Sequence, residues 1–214
     1  IKVDYPSPAE EWEVARRVRR RWRGGRVVDL ACGHGLLAHV LVLMDATSES
    51  ALAIDAHIPD NAAPLARALV EAWPRLEGRI TMEERSIADV PLGSDDLVVS
   101  VHACGALTDT VLERAMAARC RVAVLPCCHD LAHCDDGGLT GWLDAPLAID
   151  VTRAGRLRAH GYAVRTQHIP EAITPKNRLL MAEPSERGVS QDGHTDQNET
   201  SPPTPPAQGP PSSR

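Results

Sequence analysis

The stretch Arg26-Val-Val-Asp-Leu-Ala-Cys-Gly-His-Gly-Leu-Leu-Ala38 decides the fold of this chain. It predicts a short apolar strand, then a turn rich in glycine, then the start of a helix near Leu36. Gly33 and Gly35 allow backbone geometries that other residues avoid and let a ligand approach the chain closely. The helix that follows points free N–H groups and a positive dipole end at the turn. We therefore interpret this segment as a cradle for a nucleotide-type cofactor.

The glycines alone leave the cofactor open, because Gly33-His-Gly-Leu-Leu-Ala38 also fits the dinucleotide pattern G-x-G-x-x-A. Asp29, which stands before the turn, favours another ligand. The sequence Asp29-x-x-x-Gly33-x-Gly35 resembles the acidic glycine loop of class I S-adenosylmethionine (SAM) methyltransferases. In that family the acid and the backbone hold an amino-acid group instead of a pyrophosphate, so the resemblance implies that Asp29, Gly33 and Gly35 bind SAM.

Apolar strand-like runs alternate with helical stretches along the chain. This order predicts an α/β fold with a mostly parallel sheet and helices on both faces. The last two strands, 162–168 and 178–182, have no helix between them and are expected to form an antiparallel hairpin at the end of the sheet. Five alternating units and a terminal hairpin match the Rossmann-like class I methyltransferase order, whereas a nicotinamide-binding domain continues with a sixth parallel strand.

Ligands of open α/β sheets bind beyond the carboxyl ends of the strands, so we inspected the residues there. Asp55 ends the second strand and can accept both hydroxyls of a ribose. After the third strand, Ser86 and Ile87 occupy the place where class I methyltransferases commonly have an acid that contacts adenine and an apolar residue that packs on the ring. The resemblance therefore implies that Ser86 and Ile87 belong to the cofactor site, although serine departs from the usual acid.

Histidines and cysteines follow the fourth and fifth strands, in Ser100-Val-His-Ala-Cys-Gly-Ala-Leu-Thr-Asp109 and in Leu125-Pro-Cys-Cys-His-Asp130. This pair of motifs resembles a methyltransferase-domain family with His-x-Cys-Gly and Pro-Cys-Cys, which includes a branch that methylates the ribose 2′-oxygen of tRNA. We expect the two motifs to meet at one rim. There His102 or His129 would remove a proton from the methyl acceptor or orient it, so these are the candidate catalytic residues.

A metal site is the competing interpretation of the same residues, with His129-x-x-x-His133-Cys134 beside Cys127 and Cys128 as ligands. No C-x₂-C pair supports it, and adjacent cysteines rarely turn to one ion, so we predict no metal. Cys104 and Cys128 are expected to be small packing residues rather than nucleophiles. Asn177 and Arg178, before the last strand, either reach the acceptor or simply begin that strand.

Length and composition limit the number of domains, the cellular compartment and the class of binding partner. The 214 residues suffice for one domain, predicted over 1–184, and the Pro/Ser-rich stretch 185–214 is predicted to be a disordered tail. The six cysteines and the lack of a signal peptide favour the cytoplasm. No run of apolar residues could span a membrane. The net charge of −6 disfavours a surface that binds nucleic acid throughout.

The first helix carries six arginines, Arg16, Arg17, Arg19, Arg20, Arg21 and Arg23. We interpret it as a solvated face balanced by Glu10, Glu11 and Glu13, with contact to RNA phosphates as the alternative.

The leading hypothesis is thus a SAM-dependent methyltransferase whose acceptor is RNA, a protein side chain or a small metabolite. A nicotinamide-dependent reductase is less well supported, because Tyr162 is followed by Thr166 where a Tyr-x-x-x-Lys pair would need lysine. A non-catalytic partner or scaffold protein of the same fold is the third hypothesis. The sequence predicts neither the acceptor atom nor the oligomeric state.

Overall fold

The fold is a seven-stranded sheet covered by helices, seen in a computed structural model that describes residues 7–185. The predicted tail, from residue 186 onward, lies outside the described residues. The helices are α1 (Pro8–Arg21), α2 (Leu36–Met44), α3 (Ala62–Ala72), α4 (Ala106–Ala118) and α5 (Ala145–Ala159). The strands are β1 (Val27–Leu30), β2 (Ala51–Asp55), β3 (Ile80–Glu84), β4 (Leu97–Val101), β5 (Arg121–Leu125), β6 (Tyr162–His168) and β7 (Arg178–Pro184).

The strand order is β3-β2-β1-β4-β5-β7-β6. Strands β1 to β5 run parallel, and β7 pairs antiparallel with both β5 and β6. The predicted α/β fold with a terminal antiparallel hairpin is therefore confirmed. The order reverses between β1 and β4, which is where an open sheet of this kind leaves a crevice for a ligand.

Two apolar cores lie on opposite faces of the sheet. Neighbouring residues of β1 point to different cores, since Val27 packs with α1 and α2 while Val28 packs with α4 and α5. The central strands are buried on both sides, which explains their nearly continuous runs of valine and leucine. Within residues 7–185, none of the helices combines the length and apolar character that a bilayer crossing requires.

Arg19 departs from the expectation of a solvated arginine face on α1, whereas Arg20, Arg21 and Arg23 are exposed. Arg19 is 2% exposed and bonds to the Leu41 carbonyl, the Ser48 hydroxyl and the Asp45 carboxylate. Arg16 and Arg17 both pair with Glu13, and Arg21 pairs with Glu183 of β7. Arg19 and Arg21 therefore attach α1 to the rest of the domain, and Arg19 is tolerated in the interior because it is paired. The balance of Arg16 and Arg17 by Glu13 is as predicted.

Candidate functional site

The turn after β1 has the backbone of a ligand cradle. Ala31, Gly33 and Gly35 all have positive φ angles, of 59°, 52° and 73°. A Cβ atom on Gly35 would lie 2.9 Å from Cε of Met82, so a larger residue would have to move that side chain as well as strain the turn. The N-cap residue of α2, Gly35, has no side chain to cap the helix, and in the first turn the N–H of Ala38 bonds to Asp29.

A cavity of about 330 Å³ opens beside this turn. Its lining includes three of the predicted cofactor residues, Asp55, Ser86 and Ile87. The Asp55 carboxylate accepts hydrogen bonds from the backbone N–H groups of Gly33 (2.8 Å) and His57 (3.2 Å), which fix its orientation toward the cavity. Ser86 accepts a hydrogen bond from the N–H of Ala88 and so begins the short turn that presents Ile87.

Asp29 lies deeper, at the base of the cradle, and is 1% exposed. Among the described residues, its Oδ2 atom has no hydrogen-bond partner. Burial raises the pKa of this carboxyl to about 8, and the nearby charge of Asp55 adds to the shift. The N–H of Ala38 bonds to this carboxylate, but a buried carboxylate oxygen that still lacks a partner is costly and calls for a ligand that satisfies it.

Two glutamates of α1 join this acidic region, although the sequence analysis placed them on a solvated face. Glu10 and Glu11 are both buried. Burial raises the pKa of Glu11 to about 9, with Asp29 and Glu10 as further causes. The helical spacing offered a signal, since Glu10, Val14 and Val18 recur every four residues and share one face of α1.

His102 ends β4 with a positive φ of 69° and points toward α1. Its Nε2 atom lies 3.0 Å from Oε1 of Glu10. Burial alone would raise the pKa of Glu10, but hydrogen bonds from Ser7 and Thr174 and the charge of His102 hold it below its ordinary value. The ionised carboxylate can only accept, so Nε2 of His102 donates to Glu10. The Nδ1 atom of His102 is buried and has no hydrogen-bond partner within residues 7–185.

His129 belongs to a separate network of charged groups. Its Nε2 lies 2.8 Å from Oδ1 of Asp150, which also binds Arg178 (2.7 Å from Nε to Oδ2) and Arg153 (3.3 Å). Burial alone would raise the pKa of Asp150, but the hydrogen bonds from His129 and Arg178 hold it below its usual value. A cavity of about 180 Å³ lies beside this network and is lined by His129, Asn177 and Arg178 among others.

The cysteines after β4 and β5 depart from one expectation. Cys104 and Cys128 are exposed rather than packed in the core. The ligand set proposed around His133 does not assemble, because His129 bonds to Asp150, His133 to Asp130 and Cys134 to Arg153. Instead the thiols of Cys104, Cys127 and Cys128 converge at the rim where the two motifs meet.

Solved structures of similar architecture are methyltransferases. An O-methyltransferase family protein from Burkholderia thailandensis is 20% identical, with 85% of this chain and 56% of that chain covered and a TM-score of 0.53. The tRNA methyltransferase TrmK of B. subtilis is 19% identical over 90% of this chain and 71% of that chain, with a TM-score of 0.56. A SAM-dependent O-methyltransferase from Thermotoga maritima is 15% identical over 87% and 69%, with a TM-score of 0.54.

At sequence identities of 20% or less, these comparisons show a shared fold alone. This chain spans little more than half of the Burkholderia protein. No curated protein sequence matches the chain. The family comparison is more specific, because the model of a methyltransferase domain matches residues 13–135. That match includes the cradle, the cavity and both His/Cys motifs, and it covers more than half of the sequence. The chain therefore belongs to the methyltransferase-domain family.

Proposed function

We propose that this domain transfers a methyl group from SAM, which binds between Asp29 and the cavity beside Asp55. The observation that carries the proposal is the buried Oδ2 atom of Asp29, which has no hydrogen-bond partner among the described residues. SAM brings two cationic groups, an ammonium and a sulfonium. The ammonium would satisfy Asp29 directly, and the surrounding acids Glu11 and Asp55 favour a cation in the same place.

The remainder of the ligand fits the cavity of about 330 Å³. Asp55 is oriented by two backbone N–H groups and still offers lone pairs for the two hydroxyls of a ribose. Ile87 is 7% exposed and provides an apolar surface for adenine. Ser86 accepts from Ala88, which leaves its own hydroxyl proton available to a ring nitrogen. The backbone at Gly33 and Gly35 would contact the part of the ligand between its ammonium and its adenine.

His102 and His129 are the proposed groups on the acceptor side. SAM, when bound, supplies an electrophilic methyl group, and alignment of the acceptor provides most of the rate of such a displacement. An acceptor that loses a proton during attack needs a base. The hydrogen bond to Glu10 fixes the His102 ring and leaves Nδ1 without another partner among the described residues, which supports that role. His129 is held by Asp150 beside the second cavity, where it would orient the acceptor.

Calorimetry with SAM, S-adenosylhomocysteine, 5′-methylthioadenosine and NADH tests the cofactor. We expect the three adenosyl ligands to bind and NADH not to bind. Asp55→Ala removes charged hydrogen bonds to the ribose that all three share, so each affinity should fall by about 10- to 100-fold. Asp60→Ala is the matched control, because Asp60 follows the same strand but does not line the cavity, and its affinities should stay unchanged.

The other outcomes of that titration decide against the proposal. Binding of NADH alone would make the domain a nicotinamide-dependent enzyme. Binding of none of the four ligands to folded protein would favour a non-catalytic scaffold with a methyltransferase fold.

The buried acids also predict that binding depends on pH. With a pKa of about 8, Asp29 holds a proton at neutral pH, and an ammonium placed beside it would displace that proton. The affinity for S-adenosylhomocysteine should therefore rise between pH 5.5 and 7.5, by at most about tenfold per pH unit for one released proton. Calorimetry in two buffers with different ionisation enthalpies measures the release. Since 5′-methylthioadenosine lacks the ammonium, it should bind equally across this range, and a flat profile for both ligands would contradict the assignment of Asp29.

A further inference from the structure

Three thiols meet at the carboxyl ends of two neighbouring strands, β4 and β5. Cys104 follows β4, and Cys127 and Cys128 follow β5. The Sγ atoms of Cys104 and Cys127 are 3.1 Å apart, and those of Cys127 and Cys128 are 3.5 Å apart. All three Sγ atoms lie within 4.8 Å of one another. Among residues 7–185 they form the one group of three or more histidine, cysteine and acidic side chains that could hold a metal ion.

The backbone holds these thiols together independently of any contact between the sulfurs. The N–H of Gly105 donates to the carbonyl of Cys128 (2.9 Å), and the N–H of His102 donates to the carbonyl of Leu125 (3.1 Å). Gly105 has a positive φ of 58°, and a Cβ atom there would lie 3.1 Å from Cβ of Asp130. The close approach of the two loops thus depends on a glycine, and it fixes the positions of all three cysteines.

The sulfur positions suit a tetrahedral metal ion better than a disulfide. Zn–S bonds of about 2.3 Å separate two ligand sulfurs by about 3.8 Å. The two separations of 3.1 and 3.5 Å are somewhat shorter than that value, and small side-chain rotations would bring the sulfurs to it. A disulfide would involve only two of the thiols and would not explain why the third lies beside them. A soft cation can bind all three.

We propose that Cys104, Cys127 and Cys128 bind one Zn²⁺ ion as thiolates, with release of their three protons to solvent. Cys127 is buried, whereas Cys104 and Cys128 are exposed, so the ion lies at the surface with its fourth position open. Three protein ligands and one exchangeable position are the pattern of catalytic rather than structural zinc sites. Leu107, three residues after Cys104, lines the cavity of the proposed cofactor site, so the cysteine cluster lies close to that cavity.

Cobalt titration of the reduced, metal-free protein tests the site. We expect one equivalent of Co²⁺ to produce a thiolate-to-metal charge-transfer band and a tetrahedral visible spectrum, both of which Zn²⁺ abolishes. Cys127→Ser should eliminate the charge-transfer band. Cys134→Ser is the matched control, because Cys134 is on the same loop but bonds to Arg153, and it should leave the spectrum unchanged. An intact protein without the band, or an unaltered band in Cys127→Ser, would overturn the proposal.

A second measurement uses the unmutated protein and so does not depend on how the variants fold. Saturating Zn²⁺ should protect Cys104 and Cys128 from alkylation, as mapped by mass spectrometry of peptides, while Cys134 reacts as before. Equal labelling with and without Zn²⁺ would speak against the site. Recovery of a disulfide between Cys104 and Cys127 from zinc-treated protein would assign the cluster to redox chemistry instead.

Discussion

Asp29→Asn is expected to weaken the binding of S-adenosylhomocysteine by about 10- to 100-fold while it makes the unliganded protein more stable. The first effect follows from the loss of a charge-assisted hydrogen bond to the ammonium of the ligand. Binding of 5′-methylthioadenosine, which lacks the ammonium, should change little. This contrast separates Asp29 from Asp55, whose replacement weakens all three adenosyl ligands.

The gain in stability has a defined pH dependence. Burial holds the pKa of Asp29 near 8, far above its value in an unfolded chain, so the folded protein binds the extra proton between about pH 4 and 8. Stability therefore falls as pH rises through this range, and it stays low above it. Asparagine carries no charge and can still accept from the backbone. The advantage of the variant should thus grow from pH 5 to pH 8, to on the order of 1–3 kcal/mol.

Thermal denaturation at pH 5 and pH 8, with calorimetry on the same samples, measures both effects. Asp96→Asn is a suitable control, because Asp96 is also buried but is fully engaged with Arg26 and the N–H of Gly93. That variant should lower the melting temperature and leave ligand binding intact. If Asp29→Asn lowers the melting temperature and binds the ligand normally, Asp29 is a structural residue.

Arg153→Met should be the most destabilising of the substitutions considered. Arg153 on α5 is 1% exposed, and it bonds to Asp109 through two nitrogens, to the carbonyl of Gly105 and to Asp150. Removing one partner from a buried ion pair costs about 3–5 kcal/mol, since the remaining charges lose their compensation. For a domain of this size the melting temperature should fall by roughly 10 °C.

Arg156→Met offers a matched control on the same helix. Arg156 also pairs with Asp109, but its side chain is 36% exposed, so its ion pairs should be worth at most about 1 kcal/mol. Differential scanning calorimetry of the two variants compares these effects directly. Similar small decreases in melting temperature for both variants would mean that water reaches the ion pairs of Arg153 and screens them.

The fold was largely predictable because each central strand carries its own signal. A short run of valine, leucine or isoleucine ends at a glycine, an aspartate or a histidine, as in β1 with Asp29 and β2 with Asp55. Parallel strands bring their carboxyl ends to one edge, so Asp29, Gly35 and Asp55 could be assigned to one region from their order alone. The sequence also predicted the final hairpin, although the pairing of β7 rather than β6 with β5 depends on contacts between distant segments.

The rest of the candidate site depends on tertiary packing that local patterns do not contain. The spacing of Glu10, Val14 and Val18 indicates a buried face of α1, but it does not indicate that Glu10 and Glu11 lie near Asp29. His102 and His129 were predicted at a shared rim, but each is held by a different carboxylate, Glu10 or Asp150. The meeting of Cys104 with Cys127 depends on the backbone of Gly105, whose positive φ a sequence pattern does not specify.

The position of β7 has a consequence for synthesis on the ribosome. Strand β5 is complete at Leu125, yet its outer edge stays without a partner until Val122 can pair with Ala182 at the far end of the domain. A nascent chain therefore carries a long-lived open edge of valine and leucine, which is the kind of edge that pairs with other chains. The region matched by the family ends at residue 135 and would, as a fragment, keep that edge permanently. The unit that completes the sheet is thus longer than the region that matches the family model.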